Sequence, residues 1–170
     1  MCLPVVINAI WIGPELGQVQ AACLRSFLRH GHRVVLHCYE RPKDTPAGVE
    51  IADATRLLPE TRIIRHATGS LSLFADLLRY EILGAGMGLY VDCDVFCLRP
   101  IEDADYIFGL ENSDRINSAV LKLPANCPVL AELRAIKNSP VFAPPWKQRK
   151  PADIIGWLKG KRSAKALEDR

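Results

Sequence analysis

"VVINAIWIGPELGQVQAACLRSFLRHGHRVVLHCYE", residues 5–40, decides the fold class. Residues 4–12 form an apolar run bounded by Pro4 and Gly13, which reads as a buried strand. "PELGQVQAACLRSFLRHG" opens on a proline and closes on a glycine, as a helix does. "RVVLHCYE" supplies a second strand. A strand–helix–strand opening predicts an α/β domain whose sheet is mainly parallel and flanked by helices.

Further along, residues 40–70 are rich in Pro, Thr and charge and read as connections with brief elements near "VEIADATRLLP" and "TRIIRH". "SLSLFADLLRYEILGAGMG" restores a helical signal. Ser70 or Ser72 can cap it, and Gly84, Gly86 and Gly88 stop it. "LYVDCDVFCL", "YIFGLE" and "NSAVLKLP" read as three strands, with an antiparallel element expected late in the chain. "CPVLAELRAIKN" reads as a helix with proline in its first turn.

At 170 residues, 49% hydrophobic and 24% charged, the chain is the size and composition of one folded domain. Its net charge of +3 is uneven. Residues 146–170 hold eight Lys or Arg against three Asp or Glu, whereas residues 1–145 hold fourteen against sixteen. We therefore divide it into a domain over 1–145 and a basic C-terminal helix or tail over 146–170. That tail is either a solvated, frayed helix or a contact for an acidic surface such as anionic lipid headgroups. No aromatic-interleaved basic patch accompanies it, so nucleic acid is not expected as a partner. The N-terminus has no positive n-region and its apolar run breaks at Gly13-Pro14, so neither a signal peptide nor a membrane span is expected. A cytoplasmic location follows, with peripheral membrane contact through the basic end. Six scattered cysteines read as buried thiols rather than a disulfide framework, and Cys93 and Cys97 lack the second pair a zinc site needs. His30, His32, His37 and His66, near expected element ends, read as solvated.

The chemistry concentrates in "GLYVDCDVFCLRP", residues 88–100. If the segment is extended, Asp92 and Asp94 face one side with Cα atoms about 6.5 to 7 Å apart, and Cys93 faces away. Two carboxylates suffice for Mg²⁺ or Mn²⁺ when a substrate diphosphate completes the coordination. Without a cation such a pair is costly, so positive charge is expected beside it. The alternative is a strand that ends at Val91 and leaves both aspartates in a solvated turn. In "FADLLRYEIL", Asp76, Arg79 and Tyr80 share a helix face, and Phe74, Leu78 and Ile82 form an apolar row. Asp76 and Arg79 form either a simple intrahelical ion pair or a ribose- and phosphate-binding pair.

"SLSLFADLLRYEILGAGMGLYVDCDVFCLRPI" resembles the core signature of DXD-containing glycosyltransferases of the sugar-binding-region type. That group includes capsular sugar transferases and initiating mannosyltransferases, and is distantly similar to the clostridial glucosylating toxins. "VVINAIWIGPE" resembles the family's opening strand, and "ENSDRINSAVLKLPANCPVL" a later strand and helix. The matches run over about residues 4–138, with no motif matched in 39–68. The resemblance implies a GT-A fold and Mn²⁺ or Mg²⁺ as cofactor. It also implies transfer of a hexosyl group, with retention, from a UDP- or GDP-sugar to a glycan or lipid-linked acceptor. It implies that Trp11 stacks on the donor base, Asp76 binds the ribose or sugar, and Arg79 meets the sugar or diphosphate. Tyr90 would line the base or ribose pocket, Asp92 and Asp94 would handle the metal, and Asn117 would lie near a sugar. Asp92, Asp94 and Arg79 are thus the expected catalytic groups.

Two departures accompany the likeness. "GAGMGLYVDCD" has a single glycine where the family has Gly-Gly before its Tyr-x-Asp-x-Asp. Members also continue further, some with another metal ligand near the C-terminus, so the chain is expected either to draw that ligand from 111–170 or to be a shortened, inactive nucleotide-sugar-binding member. A different phosphotransfer enzyme is disfavoured: there is no G-x-x-x-x-G-K-[ST] and no downstream His-carboxylate cluster.

Overall fold

The computed structural model describes residues 4–64, 69–113 and 115–138. The elements are β1 (Ile7–Ile10), α1 (Gln18–Arg29), β2 (Val34–Cys38), β3 (Val49–Asp53), α2 (Ser72–Gly84), β4 (Leu89–Val91), β5 (Ile107–Asn112), β6 (Arg115–Lys122) and α3 (Pro128–Ala135). The chain divides into two units, Met1–Arg134 and Ala135–Arg170. The expected boundary at 145/146 and the basic segment 146–170 lie outside the described residues.

Six strands form one sheet in the order β3-β2-β1-β4-β6-β5. β1 is parallel to both β2 and β4, β2 is parallel to β3, and the β5–β6 hairpin adds antiparallel to β4. The α/β class and the late antiparallel element are as the sequence predicts. β1 is buried at every position, which is what a strand with neighbours on both edges and helices over its faces requires.

One expectation is corrected here. α1 begins at Gln18, not at Pro14: Glu15 makes a parallel bridge to Lys43, Leu16 is buried, and Gly17 turns the chain at φ 86°. The extended bridge uses the backbone that the first helical turn would need. Within 40–70, the brief element expected near "VEIADATRLLP" is a five-residue sheet strand, Val49–Asp53. Its pattern is weak because it is an edge strand, with Glu50, Ile51 and Asp53 exposed.

α2 carries the predicted apolar row, with Phe74, Leu78 and Ile82 fully buried, and burial on that scale contributes about 1.5 to 3 kcal/mol per side chain. The Ser70 hydroxyl accepts the Ser72 amide at its start, 3.2 Å. At its end the Gly86 amide donates to Leu83 and the Met87 amide to Ile82, with Gly86 at φ 67°. That pair of bonds around a left-handed residue is a Schellman closure, and it turns the chain directly into β4. Arg134 of α3 pairs with the buried Glu81 of α2, 2.8 Å.

His32 and His37 are not solvated, contrary to expectation; both are 3% exposed. The Ile101 amide donates to His32 Nε2 (3.1 Å), so Nδ1–H donates to the Val5 carbonyl (3.0 Å). Asn8 Nδ2 donates to the Met87 carbonyl, and its Oδ1 faces His37 Nε2 at 2.9 Å, which makes that nitrogen the protonated one. Each histidine satisfies buried polar groups across the sheet. His66 lies outside the described residues.

Candidate functional site

β2 and β3 lie on one side of β1 and β4 on the other, so the strand order reverses between β1 and β4. In open α/β sheets a crevice forms outside the carboxyl ends of the strands at such a point. A cleft of about 220 Å³ lies there. Ile10 and Trp11 come from the end of β1, and Tyr90, Asp92, Cys93 and Asp94 from the end of β4. Gln20 of α1 and Ala75 of α2 complete the lining.

The strand does end at Val91, so the extended i, i+2 geometry expected for the two aspartates does not apply. Beyond Val91 the chain enters a turn, closed by the Val95 amide on the Asp92 carbonyl at 3.1 Å. Cys93 is pulled inward, its thiol donating to the Ile10 carbonyl (3.3 Å), and burial pushes that thiol up to about 12. Asp94 is exposed and Asp92 half-buried. Both still border the cleft, because the turn closes over one buried residue.

Arg79 is 5% exposed and organises the polar side of the site. Its Nη1 pairs with Asp76 (3.0 Å) and donates to Ser118 Oγ (2.5 Å), while Nη2 pairs with Asp92 Oδ1 at 3.0 Å. The guanidinium lies over the Tyr90 ring, 4.5 Å from its centroid, a favourable cation–π placement. Tyr90 Oη donates to the same Asp92 Oδ1, 2.6 Å away. The Asp92 amide donates to the Ala119 carbonyl of β6 (2.8 Å), fixing the backbone as well. Burial pulls the Arg79 pKa down, but Tyr90, Asp76 and Asp92 outweigh it and the net shift is upward. For Asp76 the balance is the reverse: burial raises its carboxyl more than Arg79 lowers it. Burial likewise pushes the Tyr90 phenol well up, so it stays a donor.

The residues singled out from sequence thus mostly converge. Asp76, Arg79, Tyr90 and Asp92 form one contiguous cluster, and Trp11 and Asp94 line the cleft beside them. Asn117 does not line it; its Oδ1 accepts the Ala119 amide at 2.8 Å and the residue is exposed. The neighbouring Ser118 reaches Arg79 instead. Sequence alternation in "RINSAVLK" does not separate the two, because the β5–β6 register shifts between the Asn117 and Leu121 pairings. Gln20 and Ala75 carry no sequence signal that marks them.

A divalent cation can be weighed against this donor set. Among the described residues no three His, Cys, Asp or Glu side chains converge as a closed metal site. Asp92 and Asp94 still offer hard carboxylate oxygens at the cleft, and Asp76, Asp92 and Asp94 together set three carboxylates against one guanidinium, Arg79. That set fits a Mg²⁺- or Mn²⁺-type ion, which takes one or two protein carboxylates and completes its shell from ligand oxygens. Trp11 Nε1 and Arg79 Nε are buried with no hydrogen-bond partner among the described residues, so two donors at the site have capacity to spare.

No protein-family model matches the chain, and no curated protein matches it in sequence. Among solved structures it is similar to one titled "PaToxG Glycosyltransferase", with a TM-score of 0.56 and 12% identity over 95% of this chain. The chain spans 65% of that structure's length. At such identity the likeness is one of fold.

Proposed function

We propose that the cleft binds a UDP- or GDP-hexose together with Mn²⁺ or Mg²⁺. The hexosyl group then passes, with retention, to a hydroxyl of a glycan or lipid-linked acceptor. The observation that carries this reading is the buried Arg79, held among Asp76, Tyr90 and Asp92 at the strand-order reversal, with Asp94 and Trp11 beside it. A permanently charged planar fork at the carboxyl ends of parallel strands suits a diphosphate. The fold likeness to a glycosyltransferase agrees with it.

Trp11 presents an indole on which a base can stack, and Asp76 an acceptor for ribose or sugar hydroxyls. Arg79 stabilises charge developing on the departing diphosphate. Asp92 and Asp94 would hold the cation, which when bound neutralises the same leaving group. In a retaining transfer the leaving phosphate oxygen takes the acceptor proton, so no side chain is needed as a base.

The test is a calorimetric titration with UDP, GDP and their hexoses, with and without Mn²⁺. Binding is expected to require Mn²⁺ and to be lost in the double variant Asp92→Ala, Asp94→Ala. Metal-independent binding, or binding that survives the double variant, would overturn the cation site. Metal-dependent binding with no hydrolysis or transfer over an acceptor panel would instead identify a nucleotide-sugar-binding protein of the same fold.

A further inference from the structure

Asp92 is already engaged. Its Oδ1 accepts the Tyr90 hydroxyl at 2.6 Å and pairs with Arg79 Nη2 at 3.0 Å, while Asp94 across the turn is exposed. Arg79 is anchored on its other side by Asp76 and Ser118, and its side chain is buried beneath those partners. A guanidinium bonded to one oxygen of the carboxylate expected to hold a cation already offsets the charge the cation would meet.

We infer that Arg79 is an internal competitor of the divalent cation for Asp92. In the free chain the cation meets Asp94 and an Asp92 whose charge Arg79 offsets, and Asp92 becomes a strong ligand only when a diphosphate draws the Arg79 charge toward itself. Cation and nucleotide then enter as a coupled pair, and metal alone is held weakly. Two forces support the exchange. A diphosphate carries more negative charge than Asp92 and fits the same fork. Arg79 also retains an unpartnered buried donor at Nε, so a stronger acceptor gains a bond that the resting arrangement leaves unmade.

This rests on the reading of Asp92 and Asp94 as the cation end of a nucleotide-sugar site, but its test reads Mn²⁺ binding alone. Free Mn²⁺ is measured by electron paramagnetic resonance in wild type, Arg79→Gln, Asp92→Asn and Arg79→Gln with Asp92→Asn. Arg79→Gln is expected to raise affinity for Mn²⁺ alone by about tenfold or more, the scale of removing a unit charge at contact distance near the surface. Adding Asp92→Asn should remove that gain, while Asp92→Asn in wild type should change little. An unchanged affinity in Arg79→Gln overturns the inference. So does a gain that persists in the double variant, because that would be a long-range field effect rather than release of Asp92. Should circular dichroism show Arg79→Gln unfolded, the single aspartate variants decide. Asp94→Asn should weaken Mn²⁺ alone and Asp92→Asn should not, whereas both should weaken Mn²⁺ in the presence of UDP or GDP. Equal loss from the two aspartates with metal alone overturns the inference. If wild type binds neither nucleotide with Mn²⁺, the nucleotide-sugar reading fails, and the metal-only arms still decide whether Arg79 competes for Asp92.

Discussion

At the scale of single residues, His37 shows how a buried group can look solvated in a sequence. It sits at the end of "RVVLHC", where a polar residue normally marks the strand's exit to water. Here it donates to Asn8 between two parallel strands. Burial holds its pKa down at about 4, against 6.5 for a free imidazole. Between those values the unfolded chain binds a proton that the native chain does not, so stability is full above about pH 6.5 and falls toward pH 4. A shift of that size is worth about 3 kcal/mol. Urea denaturation at pH 7 and pH 4.5 should show the loss, and His37→Gln, which keeps a donor for Asn8, should flatten that part of the profile. An equal slope in the variant would assign the loss elsewhere. Arg79 was legible for the opposite reason: its spacing from Asp76 within one helix is a local fact. Its contact with Ser118, 39 positions away, is not.

Among the elements, the link from α2 to β4 decides where the site residues stand. The glycine retained in "GMGLYVDCD" is the one the geometry needs. Gly88 has φ 122°, and a Cβ there would meet the Val6 carbonyl oxygen at 2.5 Å. The same carbonyl accepts the Leu89 amide that starts β4 on β1. Gly88→Ala should therefore cost about 3 kcal/mol or more, adding backbone strain to the clash. It should also weaken nucleotide binding, because β4 carries Tyr90 and leads into Asp92. Thermal unfolding and the UDP or GDP titration check the two effects, and a variant as stable as wild type would show that β4 can re-seat without the close approach. The strand's length was less legible. In "LYVDCDVFCL" the aspartates allow a stop at Val91 while the apolar Cys93 and Val95 continue the alternation, so the sequence leaves both readings open. In the fold the residue pairing with β6 ends at Val91 and Val120, and the Asp92 amide still bonds the Ala119 carbonyl.

For the molecule as a whole, a ligand seated at the strand-order reversal should touch the ends of β1 and β4, the first turn of α1 and the Ala75–Arg79 stretch of α2. Hydrogen exchange with saturating nucleotide and Mn²⁺ is expected to slow amides over 10–13 and 90–95 and leave β3 unchanged. Protection confined to the β5–β6 hairpin would put the ligand elsewhere. At a hundred times Kd the same ligand adds about 2.7 kcal/mol, which for a chain this size raises Tm on the order of 5 to 10 °C. The parallel sheet could be read from "VVINAIWIGPELGQVQAACLRSFLRHGHRVVLHCYE" because strand–helix–strand order leaves few ways to connect. The place of β4 beside β1, across from β2, could not, because it depends on contacts between distant parts of the chain.

That placement bears on how the chain assembles. β1, β2 and β3 follow one another and can pair by closing short loops, but Cys93 and the Ile10 carbonyl it holds are 83 positions apart. Closing the longer loop carries the larger entropic cost and is repaid only once β4 is seated. The cleft should then be among the last features to form in refolding, after a sheet nucleus that lacks the β4 side of the site. If the cleft takes the nucleotide proposed for it, ligand added to refolding protein should leave the early steps unhastened and select, afterwards, the molecules in which β4 has found its place.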